Sequence, residues 1–163
     1  MHVEFRRAII PDEVPELLAF DRKVFPKADL FDREDWMRDD SYWMLVDGAK
    51  IGCCAFQADR DFRDDLRKDG RNPPMKGSLY ITTTGILPLF QSRGFGKLFK
   101  VWQITYARLH HLNRIVTNCR MRNTTIIGLN QSLGYRYLRA TPRYYSGPTD
   151  ATVVMELKLK SSA

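Results

Sequence analysis

A short glycine-containing segment between a predicted strand and a predicted helix constrains this chain more than any other feature. Residues 91–97 have the sequence QSRGFGK. The preceding run, residues 79–87, is apolar and β-branched, and Pro88 ends it because proline cannot continue a central strand. The helix after the segment is predicted to bury one face, because apolar residues recur every three or four positions at Phe95, Leu98, Phe99, Trp102, Tyr106 and Leu109. The segment therefore lies at a helix N-terminus, where unpaired N–H groups and the helix dipole favour an anion such as pyrophosphate.

Two common phosphate-binding motifs do not fit this spacing. A Walker loop requires a glycine five positions before the Gly-Lys pair and Ser or Thr after it, but Gln91 and Leu98 occupy those positions. A dinucleotide-binding fingerprint requires a small residue three positions after the second glycine, where Phe99 stands. The pattern that remains is Gln/Arg-x-x-Gly-x-Gly/Ala. The alternative interpretation of residues 91–97 is a glycine turn before an ordinary helix, which could contain the same fixed residues.

This pattern resembles motif A of the GNAT acyl-CoA N-acyltransferases, which in that family binds the pyrophosphate of acetyl-CoA. From Thr84 onward the chain is similar to the branch that acetylates protein N-termini, including the bacterial ribosomal-protein alanine acetyltransferases. The segments that carry the likeness are residues 86–88, 91–97, 123–135 and 144–155. In the first half of the chain the resemblance extends only to the order of the elements.

The predicted secondary structure follows the order that the resemblance implies. Alternation and turn signals predict strands over residues 3–9, 42–46, 49–58, 79–87, 114–119, 135–145 and 151–160. Helices are predicted after Pro11, from a cap at Asp32 through Arg38, after the loop, and from Asn123 to a left-handed cap at Gly134. Residues 59–77, dense in charge, predict a long exposed connection. The resemblance implies a GNAT fold of the α/β (α+β) class, with a mixed twisted sheet of about seven strands, helices on both faces, the order βααβββαβαββ, and a single domain over residues 1–163.

The resemblance also assigns a coenzyme site. In the family, acetyl-CoA is the co-substrate, and the strand before the loop and the strand after its helix splay apart to admit the pantetheine arm. Carried over by position, backbone groups of one strand would bind that arm, the loop would bind the pyrophosphate, and Asn123 would meet the coenzyme near its thiol. A plain helix cap explains Asn123 equally well. The implied residues are Thr84, Gly85, Ile86, Gln91, Ser92, Arg93, Gly94, Phe95, Gly96, Lys97 and Asn123.

The catalytic groups are where the sequence departs from the family. The resembled branch usually has a glutamate base on the fifth strand and a tyrosine acid on the following helix, but here those positions hold Asn118 and Asn130, which do not titrate. The catalytic residues are therefore unknown, and Tyr145 is a substitute acid in principle. An enzyme without a strong base should prefer an α-amine, roughly 10–20% neutral at pH 7, to a lysine, about 0.04% neutral.

Two aromatic pairs are candidate acceptor contacts. In N-terminal acetyltransferases, tyrosines between the last two strands hold the incoming peptide backbone, and Tyr144 and Tyr145 match them. The loop that lines the acceptor side in the family corresponds here to residues 25–31, with Phe25 and Phe31. The alternative role of Tyr144 and Tyr145 is to close a β-hairpin, and that of Phe25 and Phe31 is to anchor the core.

Composition fits a cytoplasmic protein that binds an anionic small molecule. The net charge is +7, and coenzyme A carries several phosphates that could account for part of this excess. No signal peptide, membrane span or nucleic-acid motif is evident, so neither a membrane nor a nucleic acid is an expected partner. Of the three cysteines, Cys53 and Cys54 are adjacent in a predicted strand, where we expect buried thiols, and no metal site is predicted.

These observations predict an acetyl-CoA-dependent N-acetyltransferase that transfers the acetyl group directly to a primary amine. The favoured acceptor is a peptide or protein N-terminal α-amine, a ribosomal protein being one candidate, and the enzyme is a monomer or homodimer. Two other functions remain open. One is acetylation of a small amine such as a polyamine, amino sugar or antibiotic, and the other is a non-catalytic acyl-CoA sensor.

Overall fold

The computed structural model describes residues 1–58 and 76–160. Over these residues the elements follow the order βααβββαβαββ, as predicted. Seven strands form a mixed sheet in the order β1-β2-β3-β4-β5-β7-β6. The predicted connection at residues 59–77 lies almost entirely outside the described residues. The strands are β1 Val3–Arg7, β2 Asp40–Val46, β3 Ala49–Ala58, β4 Ser78–Ile86, β5 Arg114–Arg120, β6 Arg136–Tyr145 and β7 Asp150–Lys158, and the helices are α1 Val14–Val24, α2 Arg33–Arg38, α3 Phe95–Leu109 and α4 Thr124–Ser132.

The chain divides into two compact units. The first comprises Met1–Gln57 and Thr82–Lys100, and the second comprises Ala58–Ile81 with the residues from Val101 onward. Strand β4 and helix α3 each contribute residues to both units. The prediction of a single domain over residues 1–163 stays a prediction.

In the first unit, β1, β2 and β3 form an antiparallel meander. The hairpin between β2 and β3 turns at Asp47 and Gly48, whose φ angles of 49° and 83° are both positive. Two positive φ angles are what a tight two-residue hairpin requires, and the Asp-Gly pair supplies them. The predicted hairpin is therefore confirmed.

The core of the first unit forms between this meander and the first two helices. Leu17 of α1, Trp36 of α2 and Trp43 of β2 are almost completely buried in one cluster. Helix α2 begins after Asp32, whose side chain accepts a hydrogen bond from the Asp35 backbone N–H, and Asp35 accepts one in return from the Asp32 N–H. This reciprocal capping box confirms Asp32 as the predicted cap.

In the second unit, the first residues of β4 run parallel to β5, and β7 lies between β5 and β6. The β4–β5 pairs extend from Ser78 opposite Arg114 to Ile81 opposite Thr117. Strand β7 pairs antiparallel with both β5 and β6. Tyr80, Val116 and Val154 form a buried cluster on three of these strands, and Leu138 and Tyr144 of β6 pack against it.

The buried face of α3 differs from the predicted one. The sequence predicted a stripe that included Leu98 and Leu109, but their side chains are 37% and 72% exposed. The buried positions instead follow steps of four, namely Phe95, Phe99, Gln103 and Ala107, together with Lys100 and Ile104. Steps of four keep side chains on one side of a helix. This side of α3 also buries the polar residues Lys100 and Gln103, which a search for apolar positions alone would omit.

Candidate functional site

The loop before α3 has the backbone geometry of an anion site. The φ angles of Ser92 and Gly94 are 61° and 86°, and these two left-handed residues turn the chain into the helix. The first helical hydrogen bond of α3 runs from the Leu98 N–H to the Gly94 carbonyl, at 3.1 Å. The N–H groups of Phe95, Gly96 and Lys97 therefore have no acceptor within the helix, which is the arrangement that binds anions at helix N-termini.

Charge and free space at the loop suit the same ligand. Arg93 and Lys97 are exposed, and the Arg93 guanidinium lies 5.6 Å from the centroid of the Phe90 ring. A Cβ atom placed on Gly94 or Gly96 would meet no atom within 4 Å. The residues around the helix N-terminus thus fit a pyrophosphate group, with two cationic side chains beside it.

The side chain of Gln91, the first residue of the predicted motif, is held by the end of β4, and the predicted role of Gln91 toward the coenzyme stays a prediction. Its side-chain amide donates a hydrogen bond to the Ile86 backbone carbonyl, at 2.9 Å. The next backbone amide, that of Leu87, donates to the Ile51 carbonyl of β3 at 2.8 Å. The side-chain amide of Gln91 therefore links the loop to the end of β4 by a hydrogen bond.

Thr84, Gly85 and Ile86 continue β4 beyond the last residue that pairs with β5, which is Ile81. The strand is close-packed at Gly85, where a Cβ would lie 3.0 Å from Val24 and 3.1 Å from the Phe25 ring. A Cβ at Gly85 would force Val24 or Phe25 to shift by a few tenths of an ångström, so Phe25 packs closely against the backbone of the strand that the sequence assigned to the coenzyme.

The other predicted aromatic of this segment, Phe31, is held by two contacts. Its ring centroid lies 4.9 Å from that of Trp36, and its backbone N–H donates to the Asp21 carboxylate at 2.8 Å. Asp21 is 2% exposed, and burial raises its pKa to about 6. Phe31 packs against the core cluster of the first unit, as the alternative anchoring role predicted, and its acceptor role stays a prediction.

In the second unit, Asn118 lies within a network of hydroxyl groups. The Tyr80 hydroxyl donates to Asn118 Oδ1 at 2.7 Å, and Asn118 Nδ2 donates to the Tyr145 hydroxyl and to Thr152 Oγ1, both at 3.0 Å. The Thr152 hydroxyl lies 3.3 Å from the Cys119 carbonyl and 3.4 Å from the Tyr145 hydroxyl. Tyr80 and Thr152 are buried, whereas Asn118 and Tyr145 are partly exposed.

Asn130 and Asn123 belong to α4 and its cap. The side chain of Asn130 is 1% exposed, and its amide contacts the Met155 sulfur at 3.6 Å. Asn130 is thus a packed residue at the position of the family's acid. The Asn123 side chain accepts a hydrogen bond from the Ile126 N–H at 3.3 Å, which confirms the predicted helix cap; its role toward the coenzyme stays a prediction.

Tyr144 and Tyr145 end β6 beside the turn that leads to β7. Their rings meet edge to face with centroids 4.8 Å apart, and Tyr144 packs on the buried cluster of the second unit. The Arg120 guanidinium lies 4.6 Å from the centroid of the Tyr145 ring and donates to the Ser146 carbonyl at 2.9 Å. These contacts fix the Tyr145 ring between a cation and an aromatic neighbour.

Three residues of this arrangement were not predicted from the sequence. Tyr80, Thr152 and Arg120 surround the predicted residues Asn118 and Tyr145. The register pairs Asn118 with Val154 and Arg120 with Thr152, so these groups meet only through long-range strand pairing. The sequence signal that could have identified these residues was a polar or aromatic side chain among the apolar neighbours of a strand.

Among the described residues, no three His, Cys, Asp or Glu side chains cluster in a way that could hold a metal ion. The three cysteines are free thiols, and Cys53 and Cys54 are buried as expected. No helix within residues 1–58 and 76–160 is long and apolar enough to cross a membrane.

The fold is that of the GNAT acetyltransferases, as the sequence predicted. No protein-family model and no curated protein sequence matches the chain. Among solved structures, the ribosomal-protein-S18-alanine N-acetyltransferase from Escherichia coli superposes with a TM-score of 0.78 at 12% identity, covering 99% of this chain and 97% of its own.

Two further structures of this fold contain acyl-CoA ligands. The protein yncA from Salmonella typhimurium, with its cofactor acetyl-CoA, has a TM-score of 0.72 at 19% identity and covers 99% of this chain and 96% of its own. GphF, a GNAT-like decarboxylase in complex with isobutyryl-CoA, has a TM-score of 0.76 at 17% identity and covers 96% of this chain and 100% of its own.

Proposed function

We propose that this protein is an acetyl-CoA-dependent N-acetyltransferase that transfers the acetyl group directly to a primary amine. The observation that carries the proposal is the 91–97 loop. Its left-handed residues, the N-terminal N–H groups of α3 and the side chains of Arg93 and Lys97 all suit a pyrophosphate. The acyl-CoA ligands of two neighbours with the same fold support the same donor.

The favoured acceptor is the α-amine of a peptide or protein N-terminus. Neither Asn118 nor Asn130 can act as a base, and an α-amine is neutral more often than a lysine at pH 7. The paired Tyr144 and Tyr145 are proposed to hold the backbone of the peptide, and the acceptor role of Phe25 and Phe31 stays a prediction. A neighbour that acts on a ribosomal-protein alanine supports a protein acceptor. The free cysteines fit a reducing compartment, and we include a cytoplasmic location in the proposal.

Gly96→Glu is the variant that tests the coenzyme site. A Cβ at Gly96 meets no protein atom within 4 Å, so the fold should be kept, but the added carboxylate would lie beside the helix N-terminal N–H groups and repel a pyrophosphate there. We expect the dissociation constant of coenzyme A, measured by calorimetry, to rise by about tenfold or more.

Gly128→Glu is its matched control. Gly128 lies in α4, and a Cβ there also meets no atom within 4 Å. Both substitutions add one negative charge and should raise helix propensity by up to about 1 kcal/mol, yet only Gly96→Glu should weaken coenzyme binding. Equal affinity of the two variants for coenzyme A would contradict the assignment of the loop.

Thiol release from acetyl-CoA separates the candidate functions. We expect faster release with a short peptide that begins with alanine than with the same peptide blocked at its N-terminus and carrying one lysine. A polyamine or amino sugar that outperforms both peptides would favour the small-amine function. Coenzyme binding without thiol release for any amine would favour the sensor, which the two asparagines support.

A further inference from the structure

Strand β4 is paired with β5 only over its first residues. In the part of the chain that the structure describes, this pairing ends at Ile81. Thr82–Lys100, which follows, belongs to the first unit, so residues 84–86 and the 91–97 loop, the predicted coenzyme residues, lie in one unit. A pantetheine arm that binds as an added strand needs the edge of β4 that β5 has left. Other contacts must then hold this part of the strand in position.

A buried carboxylate provides such a contact at Thr82. Asp39 lies between α2 and β2, and its side chain is completely buried. Its Oδ2 accepts a hydrogen bond from the Thr82 hydroxyl at 2.6 Å. Its Oδ1 accepts from Arg38 Nε at 2.8 Å and from Gln57 Nε2 at 3.0 Å. One carboxylate thus connects the end of α2, the end of β3 and the part of β4 beyond β5, all within the first unit.

The hydrogen bond from Thr82 to Asp39 is charge-assisted. The hydroxyl has one hydrogen and two acceptors in reach, the Asp39 carboxylate at 2.6 Å and the Ala55 carbonyl at 2.9 Å. A distance of 2.6 Å is typical of a hydroxyl that donates to an ionised carboxylate, and such bonds are stronger than those to a neutral carbonyl. The Arg38 guanidinium balances the charge of the carboxylate. This bond therefore fixes the side chain of Thr82 and, through it, the backbone of β4.

Thr82 is close to the predicted coenzyme residues along the strand. A strand rises about 3.3 Å per residue and alternates its faces, so Thr82 and Thr84 are about 7 Å apart and point to the same face. The backbone N–H and C=O groups of residues 84–86 must point in the right directions to bind an added strand. A shift of the backbone at Thr82 would move these groups as well, because they belong to the same short stretch of extended chain.

We propose that Asp39 is a positioning residue of the coenzyme site, which acts through Thr82 to hold the edge of β4 in place for the pantetheine arm; this rests on the proposed acetyltransferase function. The 91–97 loop has a separate tether, the hydrogen bond from Gln91 to the Ile86 carbonyl. The two parts of the coenzyme site are thus held by different contacts. Loss of the bond between Asp39 and Thr82 should weaken binding of the arm and spare binding of the pyrophosphate.

Two ligands separate the arm from the pyrophosphate. Coenzyme A contains both groups, whereas adenosine diphosphate contains the pyrophosphate without the arm. Thr82→Val removes the hydroxyl at nearly constant side-chain size. We expect it to raise the dissociation constant of coenzyme A, measured by calorimetry, by about tenfold and to change that of adenosine diphosphate by less than about twofold. Thr82→Ser keeps the hydroxyl and should bind both ligands as wild type does.

Thr83→Val is the matched control. Thr83 is partly exposed, as Thr82 is, but the alternation of the strand places its side chain on the opposite face, so coenzyme binding should be unchanged. Asp39→Ala should weaken coenzyme A binding about as much as Thr82→Val does. Because Asp39 acts through Thr82, adding Asp39→Ala to Thr82→Val should change the dissociation constant by less than about a further twofold.

Three results would overturn the positioning role. They are coenzyme A affinity within about twofold of wild type in Thr82→Val, an equal loss of affinity for both ligands, and an effect of Asp39→Ala that is as large with Thr82→Val as without it. If Thr82→Val fails to fold by circular dichroism, Thr82→Ala, which puts no methyl group beside the carboxylate, replaces it in every comparison. A wild type that binds no coenzyme A overturns the proposed function instead.

Discussion

Replacing Asp21 by asparagine should stabilise the protein at neutral pH and do so less in acid. The Asp21 carboxylate is 2% exposed and accepts a hydrogen bond from the Phe31 N–H at 2.8 Å. Burial raises its pKa from 3.8 to about 6. Asparagine keeps an oxygen for the Phe31 N–H and removes the charge whose desolvation raises that pKa.

The magnitude follows from proton linkage. Between pH 3.8 and 6 the unfolded chain has released the Asp21 proton while the folded chain retains it, so wild-type stability falls as pH rises through this window and levels off above it. The shift from 3.8 to about 6 corresponds to a total of about 3 kcal/mol, of which about 1 kcal/mol is already lost at pH 4.5. The asparagine side chain does not titrate and has no such dependence. The advantage of the variant over wild type should therefore be about 2 kcal/mol larger at pH 7.5 than at pH 4.5.

Urea unfolding followed by circular dichroism at the two pH values measures this difference. Any packing or hydrogen-bond cost of the new amide is the same at both pH values and cancels. Asp12→Asn, the same change at an exposed position, is the control and should show no comparable pH-dependent gain. If the free-energy difference between Asp21→Asn and wild type is equal at pH 7.5 and 4.5, the reasoning about the buried charge is wrong.

Two further predictions concern stability and thiol chemistry. Asp32→Ala removes the side-chain half of the α2 capping box and should cost about 1 kcal/mol of unfolding free energy, measured by urea denaturation; an unchanged midpoint would contradict it. With Ellman's reagent, Cys119 should react first in the folded protein because Cys53 and Cys54 are buried and burial raises the pKa of Cys53. Cys119→Ser should abolish this early reaction, and a rapid signal that persists in it would refute the assignment.

The features that the sequence predicted correctly are those determined by neighbouring residues. The turn at Asp47 and Gly48, the Asp32 cap and the glycine loop before α3 each depend on local backbone chemistry. The order of the elements follows from hydrophobic periodicity, and the seven-stranded sheet agrees with the family resemblance. Local signals were therefore sufficient to place the glycine loop before α3 on the chain.

The features that the sequence missed depend on residues far apart in the chain. Asn118 meets Tyr80, Tyr145 and Thr152 across separations of 38, 27 and 34 residues, which only strand register can specify. The buried face of α3 was misplaced because Gln103 is completely buried although it is polar. Periodicity of apolar residues cannot identify such a position, since its burial is set by what packs on it.

The hydrogen bond from Gln91 to the Ile86 carbonyl explains which side chains suit the first position of the motif. Glutamine and arginine, the two residues that the motif allows there, differ in charge but share a long side chain that ends in N–H donors. This position thus requires a side chain that donates a hydrogen bond to a strand carbonyl. The carboxylate of a glutamate of similar length would repel the carbonyl oxygen. A loop secured in this way before any ligand arrives loses little freedom on binding, so a coenzyme can be captured without a slow rearrangement of the backbone.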